Sequence, residues 1–174
     1  MKAAVPRLRA VSHLDGWETQ WDRLVDQAPL PSPFLRSWWL TGTGGPQRRF
    51  LLVADGERLI GGLALDGRGW PGLQILHMMG SGYLCPDHMD MVAAPREEQV
   101  TIGLLKDWFR RPGGRLVDLE GVPAHSRLTR DLRDRASVKS KRVCSCVQRP
   151  LKSTWPVANA ALKPPSMSRF TPFT

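Results

Sequence analysis

Apolar positions in this chain recur with two periods, and the points where the period changes mark its elements. Residues 3–11 alternate weakly and predict a first strand, placed at a sheet edge because Pro6 has no N–H for a ladder. Asp15 and Glu18 then read as a capping box. Behind them Trp17, Trp21, Leu24, Val25 and Ala28 recur at helical spacing. Pro29, Pro31 and Pro33 stop that helix. Ser32-Pro33 opens a second one, with serine as N-cap and proline at the first helical position, where its missing N–H costs nothing. Phe34, Leu35, Trp38 and Trp39 follow, and Gly42 is expected to end the run.

The period then shortens to two. Residues 50–54 predict a strand, Asp55-Gly56 a two-residue hairpin turn, and residues 58–65 the returning strand. A loop over 66–72 leads to a third strand, 73–79, which Gly80-Ser81-Gly82 breaks. Residues 88–93 alternate and predict one more short strand. After Pro95 the spacing predicts a helix over 96–111 with Val100, Leu104, Leu105 and Trp108 inward. Pro112-Gly113-Gly114 ends it. Leu116, Val117 and Leu119 make a strand, and Ser126 caps a last helix with Leu128 and Leu132 inward. The predicted order is strand, helix, helix, a three-strand antiparallel meander, helix, strand, helix. It implies an α/β (α+β) fold: a mixed, mostly antiparallel sheet with helices on both faces.

Charge divides the chain in two. Every acidic residue lies at or before Asp134, and residues 135–174 contain no Asp, Glu or Gly. That tail holds eight of the 25 Lys and Arg residues, which leaves 17 basic residues against 16 acidic ones in the body. The overall +9 therefore belongs to the tail and does not mark the folded part as a nucleic-acid-binding domain. Residues 1–134 are expected to form the folded unit, and 135–174 a basic, Pro-rich and poorly ordered extension. The tail has little aromatic interleaving beyond Trp155, Phe170 and Phe173 and no recognised binding motif, so a nucleic-acid role is not expected.

No run of 18 apolar residues is present, which predicts no membrane span. The first residues lack the apolar core of a secretory signal. Cys85, Cys144 and Cys146 are too few for a disulfide framework, so a reduced, cytoplasmic setting is expected. Cys144 and Cys146 are spaced too tightly for a usual zinc pair, and no metal site is expected.

Four groups of residues, taken in order, carry a resemblance. They are Trp17, Trp21 and Leu24; Ser32-Pro33-Phe34-Leu35 with Trp38-Trp39-Leu40; the Asp55-Gly56 hairpin followed by Gly61-Gly62; and the stretch from Cys85 to Val92. Over about residues 14–134 this set resembles the N-terminal half of the CelD/FemAB-like branch of GNAT-type acyltransferases. The resemblance implies a bacterial protein linked to cellulose or cell-wall synthesis, built from two GNAT-like halves. It implies transfer of an acyl group from acyl-CoA to an amine or hydroxyl of a polysaccharide or cell-wall precursor, with acyl-CoA held by a second half that this chain lacks.

Two features depart from that pattern. The helix that should open on a glycine-rich phosphate loop opens instead on Ala94-Pro95-Arg96-Glu97-Glu98-Gln99. It has no glycine, and two carboxylates stand where a phosphate would go. Gly80, Ser81 and Gly82 are a weak substitute, because they lead into another extended segment. The chain alone is thus not expected to bind acyl-CoA. The second departure is the abrupt change in residue usage after Asp134, which resembles out-of-frame translation or a degraded gene; a natural disordered extension is the alternative.

Six residues stand out as candidates for substrate contact. Ser37, Trp38 and Trp39 lie where GNAT proteins often meet their acceptor. Adjacent helical positions do not share a face, so one of the two Trp rings is expected to be exposed or to meet a partner. Asp87, His88 and Asp90 follow the glycine turn; His88 and Asp90 would share one strand face, where a histidine beside carboxylates can serve as a base. The simpler alternative is a turn capped by Asp87 with its neighbours in solvent. Trp17 and Trp21 are expected in the core, and His13, His77 and His125 in ordinary structural roles. The rival to an acyltransferase role is a non-catalytic module presenting the Trp38/Trp39 face to a missing half or another protein.

Overall fold

A computed structural model describes residues 5–70, 73–81, 88–111, 114–119, 121–123 and 125–133. The candidates Gly82 and Asp87, and the whole of 135–174, lie outside these residues. The order is β1 (Arg7–Val11), α1 (Glu18–Asp26), a 3-10 turn (Pro33–Leu35), α2 (Ser37–Thr43), β2 (Arg49–Asp55), β3 (Arg58–Trp70), β4 (Leu73–Met78), β5 (Val92–Ala93), α3 (Glu98–Phe109), β6 (Gly114–Asp118) and α4 (Arg127–Arg133). The sheet has six strands in the order β1-β2-β3-β4-β6, with β5 paired to β3. All pairs are antiparallel except β4 with β6, which run parallel on either side of the α3 connection. The fold is thus mixed α/β with a mixed sheet flanked by helices.

Both faces of the sheet are covered at its centre. Phe50 to Ala54 on β2 and Leu59 to Leu65 on β3 are buried without alternation. Gly61 and Gly62 make that possible. A Cβ built on Gly62 would lie 2.6 Å from a ring carbon of Trp21 on α1 and 2.8 Å from the Leu51 carbonyl oxygen. One built on Gly61 would lie 2.6 Å from Cγ2 of Thr101 on α3. Consecutive strand residues point to opposite faces, so α1 and α3 press on the same two residues from opposite sides. Trp21 also meets Phe50 edge-on at 5.8 Å. β5 completes the enclosure by pairing Val92 with Gly62 and Ala93 with Gly61.

Local details differ from the sequence expectations. Asp15 and Glu18 make no capping box: the N-cap is Trp17, with no side-chain bond to the helix. The chain turns earlier, through Gly16 at φ 82°, and the Trp17 N–H donates to the Leu14 carbonyl. The hairpin turn is Gly56-Glu57 rather than Asp55-Gly56, because Asp55 pairs with Arg58. Gly56 at φ 63° takes the first central position, as a type II′ turn requires. The register then shifts by one at Ile60, since Val53 faces Gly61 while Ala54 faces Leu59. This bulge switches the face that the residues of β3 beyond it present.

Residues 66–70 are strand rather than loop and pair with 73–77. The 88–93 strand shrinks to Val92–Ala93. The inward face of α3 is Thr101, Ile102, Leu105 and Trp108, with Val100 39% exposed. Thr101 takes the place expected of an apolar residue because only a small side chain fits over Gly61. The expected second helix is split: Ser32 caps only the 3-10 turn, accepting from the Phe34 N–H at 3.3 Å, and α2 starts anew at Ser37 after an extended Arg36 and runs past Gly42 to Thr43.

Gly62→Ala is expected to destabilise the protein by about 1–3 kcal/mol, since an added methyl would meet a backbone oxygen that cannot step aside. Gly61→Ala should cost less, because it meets only a side chain, and Thr101→Ala in the same chain should recover part of the loss. Urea denaturation of the single and double variants measures this; strict additivity of the Gly61 and Thr101 changes would refute the packing account.

Candidate functional site

The first candidate corner is built outward from α1. The Trp21 indole N–H donates to the Leu35 carbonyl at 2.7 Å, fixing the 3-10 turn against the helix. One residue on, Asp22 accepts the Ser37 N–H at 2.7 Å and the Ser37 hydroxyl at 2.8 Å. A carboxylate from α1 therefore caps α2 in place of any local residue, where the helix dipole favours negative charge. Arg36 adds an ion pair to Asp26. Ser37 is buried and its hydroxyl is committed to Asp22, so it belongs to the cap that Asp22 makes.

The capped helix and the 3-10 turn before it present three aromatic rings in series. Phe34 meets Trp39 edge-on at 5.1 Å, and Trp39 meets Trp38 edge-on at 5.9 Å. Trp38 is 64% exposed, whereas Trp39 is partly buried against the core. The expectation that the two rings part company holds. The Trp39 indole nitrogen is buried and has no hydrogen-bond partner among the described residues.

The second corner gathers His88, Asp90, His125 and Ser126. Residues 88–91 are not a strand, so His88 and Asp90 do not share a strand face as expected. His88 is exposed at φ 60°, an uncommon conformation outside glycine. Asp90 turns inward: its Oδ1 accepts the Ser126 hydroxyl and the Met91 N–H, each at 2.8 Å. The Ser126 oxygen in turn accepts the Leu128 N–H at 3.0 Å. The Met89 N–H bonds the Gly121 carbonyl beside them at 3.1 Å. The loop before β5 is thereby clamped to the start of α4. Burial raises the pKa of Asp90, opposed by the Ser126 and Met91 bonds and by the charge of His125. Sequence spacing gave Ser126 only as a helix cap; its pairing with Asp90, 36 residues away, had no local signal.

Gly80 and Ser81 form a turn after β4, with Gly80 at φ 81° and the Ser81 N–H donating to the Met78 carbonyl at 3.0 Å. An open cleft of about 370 Å³ lies elsewhere, between Arg9, Gly16, Trp17, Gln20, Gly56 and Glu57. It contains none of the candidate residues, and Gln20 there ties the hairpin, donating to the Glu57 carbonyl and accepting the Leu59 N–H. Among the described residues no three His, Cys, Asp or Glu side chains could hold a metal, and no helix is long and apolar enough to cross a membrane.

The folded pKa of Asp90 lies above the roughly 3.9 of an unfolded aspartate. Proton uptake therefore favours the folded state. That stabilisation is complete below about pH 4 and is lost as pH rises through the folded value. Asp90→Asn keeps the acceptor oxygen and removes the charge. It is expected to abolish this component and to be at least as stable as the parent at pH 8. Denaturation midpoints across pH 4–8 report the difference, and an unchanged pH profile in the variant would count against burial as the cause.

Comparison of the chain with protein-family models, with curated proteins and with solved structures finds no match to any of them.

Proposed function

We propose that the chain is an acyltransferase-related domain of the GNAT type that supplies the acceptor side of the reaction, with a polysaccharide or cell-wall precursor as the acceptor class. One observation carries the reading. Strand, two helices, an antiparallel three-strand meander, a helix and a strand parallel to the last of the meander follow in turn, an order that resembles the first part of a GNAT-type fold. The α2 corner supports the acceptor role. It offers a broad exposed indole, Trp38, held rigidly by a helix whose first turn is capped from α1. An aromatic ring of this kind gives a large apolar contact, and Trp39 carries a buried polar atom with no partner among the described residues.

The acceptor reading is tested by titrating β-linked glucose and amino-sugar oligosaccharides while following tryptophan fluorescence. A saturable change that disappears in Trp38→Phe is expected. No change at millimolar oligosaccharide, or a change that Trp38→Phe leaves intact, would sink it.

A second reading, a non-catalytic module that docks another protein, is favoured by the same exposed Trp38. The two part on the behaviour of the purified chain. A docking module is expected to form a stable oligomer or complex by light scattering, whereas the acceptor domain binds its sugar as a monomer.

A further inference from the structure

Two turns in this fold stand where a phosphate-binding loop would be sought: residues 78–81 after β4, and residues 94–98 at the start of α3. A pyrophosphate needs several converging backbone N–H groups without nearby carboxylates. Part of each turn's backbone donors is already committed within the fold. After β4, the Met79 N–H donates to the Ala64 carbonyl at 3.3 Å and the Ser81 N–H to the Met78 carbonyl at 3.0 Å. At α3, Pro95 has no N–H and the Glu97 N–H donates to the Ala94 carbonyl at 2.9 Å. That bond closes a turn with Pro95 at its first central position and Arg96 at φ 73° at its second, the pattern of a type II turn. The Thr101 N–H, at 2.9 Å, goes back to the Glu97 carbonyl.

Charge points the same way. Glu98 lies in the first turn of α3, and Glu97 is its N-cap residue. The Glu97 carboxylate pairs with Arg58 on the β2–β3 hairpin at 3.3 Å, and Arg58 also reaches Asp55 at 3.8 Å. The N-terminus of α3 thus holds the hairpin through an acid–base–acid series.

We infer that both turns are structural ties and that neither holds the pyrophosphate of acyl-CoA, so that the acyl donor of the proposed reaction is carried outside them. The inference takes its ligand from the acyltransferase reading, but the committed donors and the Glu97 and Glu98 carboxylates disfavour any phosphate anion. It also gives Arg96 a plain role: a residue in a left-handed turn position that glycine would fill with less strain.

Coenzyme A and inorganic pyrophosphate are titrated into the full chain at physiological salt while backbone amide NMR shifts are followed. No saturable shift is expected at residues 79–81 or 96–100. Saturable shifts there, at micromolar to low millimolar ligand, would overturn the inference. Saturable shifts confined to other residues would support it. Arg96→Gly serves as the companion variant: it should raise the thermal midpoint by a few degrees and still show no shift at these amides, and a variant that gains binding there would overturn the inference as well. The oligosaccharide titration is independent of these readouts, so failure of the acceptor reading and failure of this inference are told apart.

Discussion

The fold depends on one close approach. Two helices lie against adjacent residues of a single strand, one on each face, and neither residue can carry a side chain. Gly62 admits the Trp21 ring and Gly61 admits Thr101. Glycine inside a strand is ordinarily a loss, because it orders a permissive backbone and packs nothing. Here the loss is offset by a fully buried indole on one side and by the seating of α3 on the other. β2 and β5 pair with the same two residues from both edges, so their backbones are enclosed on every side.

The α2 corner inherits its position from that approach. Trp21 is fixed by Gly62 and by Phe50, and its N–H sets the 3-10 turn through Leu35. Asp22, the next residue, is then aimed at the first turn of α2, where it accepts two bonds from Ser37. Trp38 and Trp39 are the next two residues of that helix. A strand glycine, a core tryptophan, a helix cap and an exposed ring are thus one mechanical series, although they span some forty residues of sequence. Loss of the first member would reach the last without any direct contact between them.

Much of this was legible in the sequence, and the rest was hidden for identifiable reasons. The element order, the mixed sheet, the Ser32 cap and the unequal exposure of Trp38 and Trp39 follow from periodicity and local turn chemistry. The errors arise where tertiary contacts override local patterns. Asp15 and Glu18 match a capping box, yet Gly16 turns the chain before the box can close. Val100 and Leu104 look like a core face, but the close approach at Gly61 rotates α3 so that Thr101 faces inward. The hairpin turn moved by one residue, to Gly56-Glu57, and the bulge at Ile60 then shifted the register beyond it, neither of which the local Asp-Gly pattern specifies. The Asp90–Ser126 pair joins distant parts of the chain, and spacing carries no information about such pairs.

The two candidate corners differ in what they leave unmet. Around Asp90, the carboxylate accepts from Ser126 and Met91, and Ser126 caps α4, so its polar groups have partners within the chain. Burial of that carboxylate is a cost the fold bears for a clamp between β5 and α4. Among the described residues, three buried side-chain atoms lack partners: Asp55 Oδ1, Thr101 Oγ1 and Trp39 Nε1. An unmet buried group costs roughly 1–3 kcal/mol. For Asp55 the charge is met through its other oxygen by Arg58. For Thr101 the compensation is the approach of α3 to the sheet. For Trp39 no packing gain of that kind is evident, and its neighbour Trp38 stands in solvent. The acceptor role we propose therefore draws on α2, where a described polar atom is left unmet beside an exposed ring, rather than on the Asp90 clamp, whose carboxylate and hydroxyl are paired.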